Sequence, residues 1–222
     1  MNKNILIGIS IISGILFFRC TSSNIEKGNI CLSLGDYPMA IEFFDREVHE
    51  HPDNYKARIG LGKAFLQKAV DNQNDTISWK KALVNLEAAR TINPDSNTVI
   101  LLSQVWAEYS QRLITCGDTI HALEALSSAL QYDPDNIELI NQAGILYFRL
   151  DYSEKAAILF KRAIDLDSLH AYSFFNLGMV YWSQKDVIKA RELWLQALSL
   201  DSEDEDILYW FAHAEKKIRE SN

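Results

Sequence analysis

Residues 171–204 read AYSFFNLGMVYWSQKDVIKARELWLQALSLDSED, and residues 137–170 read IELINQAGILYFRLDYSEKAAILFKRAIDLDSLH. Set one above the other, the two blocks put Gly144 over Gly178, Tyr147 over Tyr181, Ala156 over Ala190 and Phe160 over Trp194. An offset of about 34 residues between such self-similar blocks marks a solenoid of stacked helix pairs. The pattern extends upstream. Small residues stand at Gly28 and Gly62, with Gln104 at the odd slot, and downstream at Ala212. The alanines continue at Ala40, Ala82 and Ala122, and twelve residues after the five alanines come Pro52, Pro94, Pro134, Ser168 and Ser202.

The spacing has a physical reading. A small residue on a first helix and an alanine on the second let two axes approach to about 8–10 Å. Four residues after each alanine stands a bulky plug, Phe44, Leu86, Leu126, Phe160 or Trp194, on the same helix face. Phe65, Tyr147 and Tyr181 play that part on first helices, and Cys31 occupies the same slot. Proline has no N–H for the ladder and ends the second helices. The side chains after it, as in Pro52-Asp53-Asn54, cap the next helix. Ser23 with Glu26 and Asp135 with Glu138 have the spacing of reciprocal capping boxes.

These residues resemble the tetratricopeptide repeat family. Gly28, Gly35, Tyr37, Ala40, Phe44 and Pro52 match its motif, as do Leu177, Gly178, Tyr181, Ala190, Trp194 and Ala197. The resemblance implies an all-α, right-handed α-solenoid of about five helix pairs, over 21–54, 55–96, 97–136, 137–170 and 171–204. A C-terminal capping helix from about Glu205 to Arg219 completes a solenoid spanning 20–222. Ala82 and Ala122 arrive late, which places insertions between Gly62 and Ala82 and between Gln104 and Ala122. Both are expected between first and second helices, with 71–76 as a polar loop tip. The first helix of the third repeat is expected to run to about Cys116, where Gly117 and Asp118 break it. The insertions read either as plain extensions or as a ridge that touches a partner.

Residues 1–19 read as a targeting segment: a short positive start, then an uncharged run from Ile5 to Phe18. About 20 apolar residues are needed to span a bilayer, and this run is shorter. It fits the core of a secretory signal peptide. Cys20 directly follows, as in bacterial lipoproteins, although Arg19 stands where that family has a small residue. Three outcomes stay open: lipidation of Cys20, an uncleaved anchor, and simple secretion. All place the repeats on the non-cytoplasmic side, and an anchored chain is expected in the cell envelope.

Composition narrows the partners. The net charge is −8, and an acidic surface repels phosphate backbones, so nucleic acid is not an expected partner. Five scattered histidines include no helical pair with a carboxylate in zinc-ligand spacing, and no metal, cofactor or catalytic residues are assigned. Gly60-Leu61-Gly62-Lys63 lacks the earlier glycine and following hydroxyl of a phosphate loop. A disulfide scaffold would carry more than three cysteines.

The expected function is therefore binding. In the resembled family the first helices line a concave face. Carried over, its positions include Ile59, Lys63, Leu101, Val105, Asn141 and Ile145. The aromatic part of that groove is Phe148, Tyr172, Phe175, Met179, Trp182 and Tyr209, which offers a surface for a helix or extended segment of a partner protein. The other reading of these aromatics is ordinary core under a neighbouring helix. An adaptor that assists assembly of an envelope complex is the expected role. A ligand-binding subunit of a transport system is the alternative.

Overall fold

The computed structural model describes residues 23–72 and 75–221. Among them the fold is all-α, with eleven helices and no strand. They are α1 (Asn24–Ser33), α2 (Tyr37–Glu50), α3 (Tyr55–Asp71), α4 (Thr76–Ile92), α5 (Ser96–Thr115), α6 (Thr119–Tyr132), α7 (Ile137–Arg149), α8 (Ser153–Leu166), α9 (Ala171–Ser183), α10 (Val187–Leu200) and α11 (Glu205–Ser221). The chain divides into two compact units, Met1–Val105 and Trp106–Asn222. No described helix is long and apolar enough to cross a membrane. Cys20 and the rest of residues 1–22 lie outside the described residues, as does Asn74.

Helix starts follow the side chains. Ser23 and Glu26 form the reciprocal box at α1: the Glu26 N–H donates to Ser23 Oγ at 3.3 Å, and the Ser23 N–H donates to Glu26 at 3.1 Å. Asp36, Asn54, Asp75, Asp118 and Asp186 each accept from the N–H three residues on. The expected Asp135/Glu138 box does not form. Asn136 caps α7 instead, accepting from the Leu139 N–H at 3.2 Å. Asp135 sits one residue too early and takes Arg162 at 3.1 Å.

Second helices end in one register whatever the following residue. The closing residues are His51, Asn93, Asp133, Asp167 and Asp201, each eleven after its alanine, and each N–H bonds the carbonyl four back. Ser168 and Ser202 end α8 and α10 as the prolines end the others. Packing of the next pair, and not the missing proline N–H alone, sets the stop.

The small residues do lie where helices cross. A Cβ on Gly28 would sit 2.7 Å from the Phe44 ring, and Gly60 presses on that ring from the other side. Gly62 meets Leu86, Gly144 meets Phe160 and Gly178 meets Trp194 in the same way. In the C-terminal unit, each second helix builds a cluster with the first helix that follows. Leu126 packs with Leu139 and Leu146, Phe160 with Leu177 and Val180, and Trp194 with Ile207 and Ala214. Ala212, the fifth small residue in register, is exposed, because no second helix follows α11 among the described residues.

Both insertions differ from expectation. The first is absorbed as roughly one extra turn on each of α3 and α4, so Asp71 and Thr76 are helical and the connection is shorter than 71–76. The second does not lie after Gln104. Gln104 is exposed, and Ser110 takes the crossing: it is fully buried and its hydroxyl donates to the Ala122 carbonyl at 2.9 Å. Ser110 precedes Ala122 by the regular twelve residues. The turn agrees, since the N–H groups of Asp36, Asp118, Tyr152 and Asp186 bond back to Cys31, Leu113, Tyr147 and Tyr181, each three residues after the crossing residue. The extra residues therefore lengthen the N-terminal end of α5. Val105, expected in the groove, is fully buried.

Candidate partner-binding face

The residues expected in the aromatic groove lie on α7 (Phe148), α9 (Tyr172, Phe175, Met179, Trp182) and α11 (Tyr209) of the C-terminal unit. Tyr172 and Phe175 meet edge to face, with centroids 6.4 Å apart. Phe175 and Trp182 lie against Trp194 at 6.5 and 5.7 Å. Trp182 also contacts Trp210 at 5.7 Å and His213 at 5.3 Å. Tyr209 stands against Trp210 and stacks at 7° on His213. Trp194 is fully buried and its indole N–H donates to the Phe175 carbonyl at 3.1 Å, so the base of the face is held rigidly.

The groove and core readings each describe one side of this layer. Phe175, Met179 and Trp182 are half-buried, packed on the Trp194 cluster with one side open. Tyr172 and Tyr209 are 50% and 63% exposed. Phe148 belongs elsewhere: it packs on the cluster of Phe160, Leu177 and Val180. Trp210 and His213 join the face, although the sequence reading did not pick them out. Their signal was present, since they follow Tyr209 at i+1 and i+4.

Polar bonds tie the first helices together at their N-terminal ends. The Tyr172 hydroxyl donates to Asp204 Oδ2 at 3.0 Å, and Asp204 Oδ1 caps α11 through the Ile207 N–H at 3.0 Å. That bond to Asp204, then its negative charge, holds the phenol above its usual pKa, with further pushes from burial, Asp206 and Asp201. Between α7 and α9, Asn141 Nδ2 donates to Ser173 Oγ at 2.9 Å. His170 Nδ1 lies 2.9 Å from the same oxygen, and its Nε2 lies 3.3 Å from Glu138. This Ser–His–Glu connectivity was not legible in the sequence. It copies a nucleophile relay, yet Ser173 is fully buried and engaged by Asn141, so no substrate carbonyl can reach it. Its work is to join two helices.

Other groupings bear on the sequence readings. Glu47, Glu50 and His51 bring ligand atoms within 4.8 Å of one another. His51 and Asn54 already engage Glu47 at 3.1 and 3.0 Å, at the C-terminal end of α2 where an imidazolium suits the dipole. Gly60 and Gly62 lie inside α3, which rules out a phosphate-cradling loop there. Cys31 and Cys116 are free thiols. Burial, then Asp36, pushes the Cys31 thiol up. The N-terminal unit has a concavity of about 470 Å³, which includes Ile59, Lys63 and Leu101 with Tyr55, Asn97 and Gln104.

Residues 141–205 match the family model described as tetratricopeptide repeat. Those residues carry the tetratricopeptide repeat. Among curated relatives with such similarity, the chain is 23% identical over 167 residues to BBSome complex member bbs-4 of Caenorhabditis elegans, covering 72% of this chain and 34% of that protein. It is 27% identical over 161 residues to the human protein O-mannosyl-transferase TMTC3, covering 72% of this chain and 16% of that one. The match thus spans about a third of the first relative and about a sixth of the second. Among solved structures, YrrB, described as a tetratricopeptide-repeat protein with an unusual peptide-binding site, superposes with a TM-score of 0.54 at 21% identity. That superposition covers 87% of this chain and 90% of YrrB, and shows a shared repeat fold.

Proposed function

We propose that this repeat protein is a non-enzymatic scaffold that holds a segment of a partner protein on the aromatic face of α9 and α11. The observation that carries the reading is the layer built by Tyr172, Phe175, Met179, Trp182 and Tyr209. Its underside is locked on Trp194, while Tyr172 and Tyr209 stay open to solvent. Rigid, half-exposed aromatics of this kind lose little entropy on binding and dominate interface energies. The peptide-binding site in YrrB's description supports the same mode. We place the protein in a bacterial envelope, with Cys20 lipidated and the repeats outside the cytoplasm, as an assembly adaptor.

A photo-crosslinking residue at position 209, in cells expressing the full chain, tests the binding face. One discrete protein adduct, lost when Trp182→Ala is added, is the expected result. An adduct pattern identical to that of a crosslinker on the opposite helices, for example at position 158, would remove the face from the reading. Intact-mass analysis of the membrane fraction tests Cys20 separately: a mature chain without acyl mass sinks the lipid anchor.

A further inference from the structure

We infer that the segment held on this face is basic, and that arginine side chains anchor it. The inference rests on the aromatic-face reading above and names the chemistry of its occupant.

Charge is divided unequally along the chain. The N-terminal unit carries 11 acidic and 11 basic side chains, 9 basic without Lys3 and Arg19 of the targeting segment, whereas the C-terminal unit carries 19 acidic and 11 basic, so most of the negative charge belongs to the unit with the aromatic face. Within that unit, Asp201, Glu203, Asp204, Glu205 and Asp206 crowd the turn from α10 into α11. Asp204 reaches the face directly through the Tyr172 hydroxyl at 3.0 Å. Asp201, Glu203, Glu205 and Asp206 are exposed. At the other end of the same two helices the bases have acids of their own: Arg191 pairs with Glu215, Lys216 with Glu220 and Lys189 with Asp186. No described lysine or arginine forms an ion pair with the five carboxylates.

The rings have the matching property. A cation over an indole or phenol face is attracted by the ring quadrupole. The face already takes one, for Lys217 Nζ lies 5.1 Å from the Trp182 centroid. That lysine sits toward the C-terminal end of α11, far along the helix from the acidic turn. Tyr172 and Tyr209, close to the turn, keep open ring surface and have no cation on them among the described residues. A guanidinium is planar, so it stacks on a tyrosine while its edge N–H groups reach carboxylates; a compact ammonium does only one of these well. An acidic segment would meet repulsion from all five carboxylates.

Three short synthetic peptides test this with the full chain. They share one leucine–tyrosine frame and differ only in carrying arginine, glutamine or glutamate at the remaining positions. Binding is followed by tryptophan fluorescence at 50 and 500 mM salt. The expected order is arginine, then glutamine, then glutamate, with arginine at least about tenfold ahead at low salt and its lead shrinking at high salt as screening sets in. Asp201→Asn with Asp206→Asn should weaken the arginine peptide about fivefold and leave the glutamine peptide and the melting temperature unchanged. Tyr209→Ala, at an exposed position, should weaken the arginine peptide without unfolding the chain. Equal affinities for arginine and glutamine overturn the charge inference while the aromatic face stands. Tightest binding of glutamate, or no binding of the arginine peptide, overturns it too, and the crosslink at position 209 then decides the face on its own.

Discussion

Gly178 is the sharpest test of how these helices pack. A Cβ at this position would meet the Trp194 indole nitrogen first, with Cδ1 at 2.7 Å and Cε2 at 3.0 Å. Trp194 has no exposed surface, and its N–H is spent on the Phe175 carbonyl at 3.1 Å. The obstructing atoms are thus ring atoms locked on both sides, and not the loose end of a flexible chain. Gly178→Ala gains about 0.5–1 kcal/mol of helix propensity. Against this, overpacking costs about 1–3 kcal/mol, and a strained or broken bond from a buried donor adds about 1–3 kcal/mol. The net expectation is a loss of about 2 kcal/mol. For a chain of this size that lowers Tm by roughly 4–8 °C. Calorimetry and urea unfolding of the full chain read it. The companion is the same change in a Trp194→Phe background: the ring still crowds the Cβ, as Phe160 crowds Gly144, but no buried N–H bond to the Phe175 carbonyl is left to break. There the penalty should fall by about 1 kcal/mol or more, a coupling outside the additivity of independent sites. If Gly178→Ala raises Tm, as an unobstructed helical glycine should, or if the two changes are additive, the crossing argument is refuted.

Asp151 and Lys185 hold φ of 63° and 65° where Gly35 and Gly117 stand in the equivalent turns. Asp151→Gly and Lys185→Gly should each stabilise the C-terminal unit by about 0.5–1 kcal/mol, as relief of left-handed strain outweighs added chain entropy; a fall in Tm in both would contradict this. Asn141→Leu removes one of the two partners of buried Ser173 Oγ, His170 being the other, and should cost about 1 kcal/mol, whereas Asn141→Leu with Ser173→Ala should recover part of it in denaturant titrations. The His121 imidazole sits 2.8 Å from Asp118, whose hydrogen bond and charge raise the histidine pKa above its ordinary value, while the hydrogen bonds from the His121 side chain and backbone N–H lower that of Asp118. The histidine's contribution to stability is therefore full below its unfolded pKa and is lost as pH rises through the raised one. The carboxylate's contribution is present above its unfolded pKa and is lost as pH falls through the depressed one. NMR titration of His121 should show the raised midpoint, and Asp118→Asn, which keeps a capping oxygen, should return it to normal.

The spacing of Gly28, Gly144 and Gly178 against Ala40, Ala156 and Ala190 was enough to read helix pairs and the points where they cross. Both are consequences of short-range periodicity, which any window of the chain displays. The same holds for the aromatic positions on α9 and α11. Position within a long helix is different. Leu102, Trp106, Tyr109 and Leu113 keep helical spacing through α5 without a break, so nothing local marks where two extra turns were added. Only the contact between Ser110 and Ala122 showed that Ser110, and not Gln104, stands at the crossing. Likewise, Asp135 and Asn136 are both good caps on paper, and the reach of Arg162 from α8 decided between them. The site followed the same division. Its rings were visible one by one, but which side of Trp182 stays open depends on Trp194 and Trp210, which come from two other helices. The link between Tyr172 and the acidic turn joins residues 32 apart in sequence. Packing of one pair on the next brings such groups together, and a one-dimensional pattern does not encode that distance.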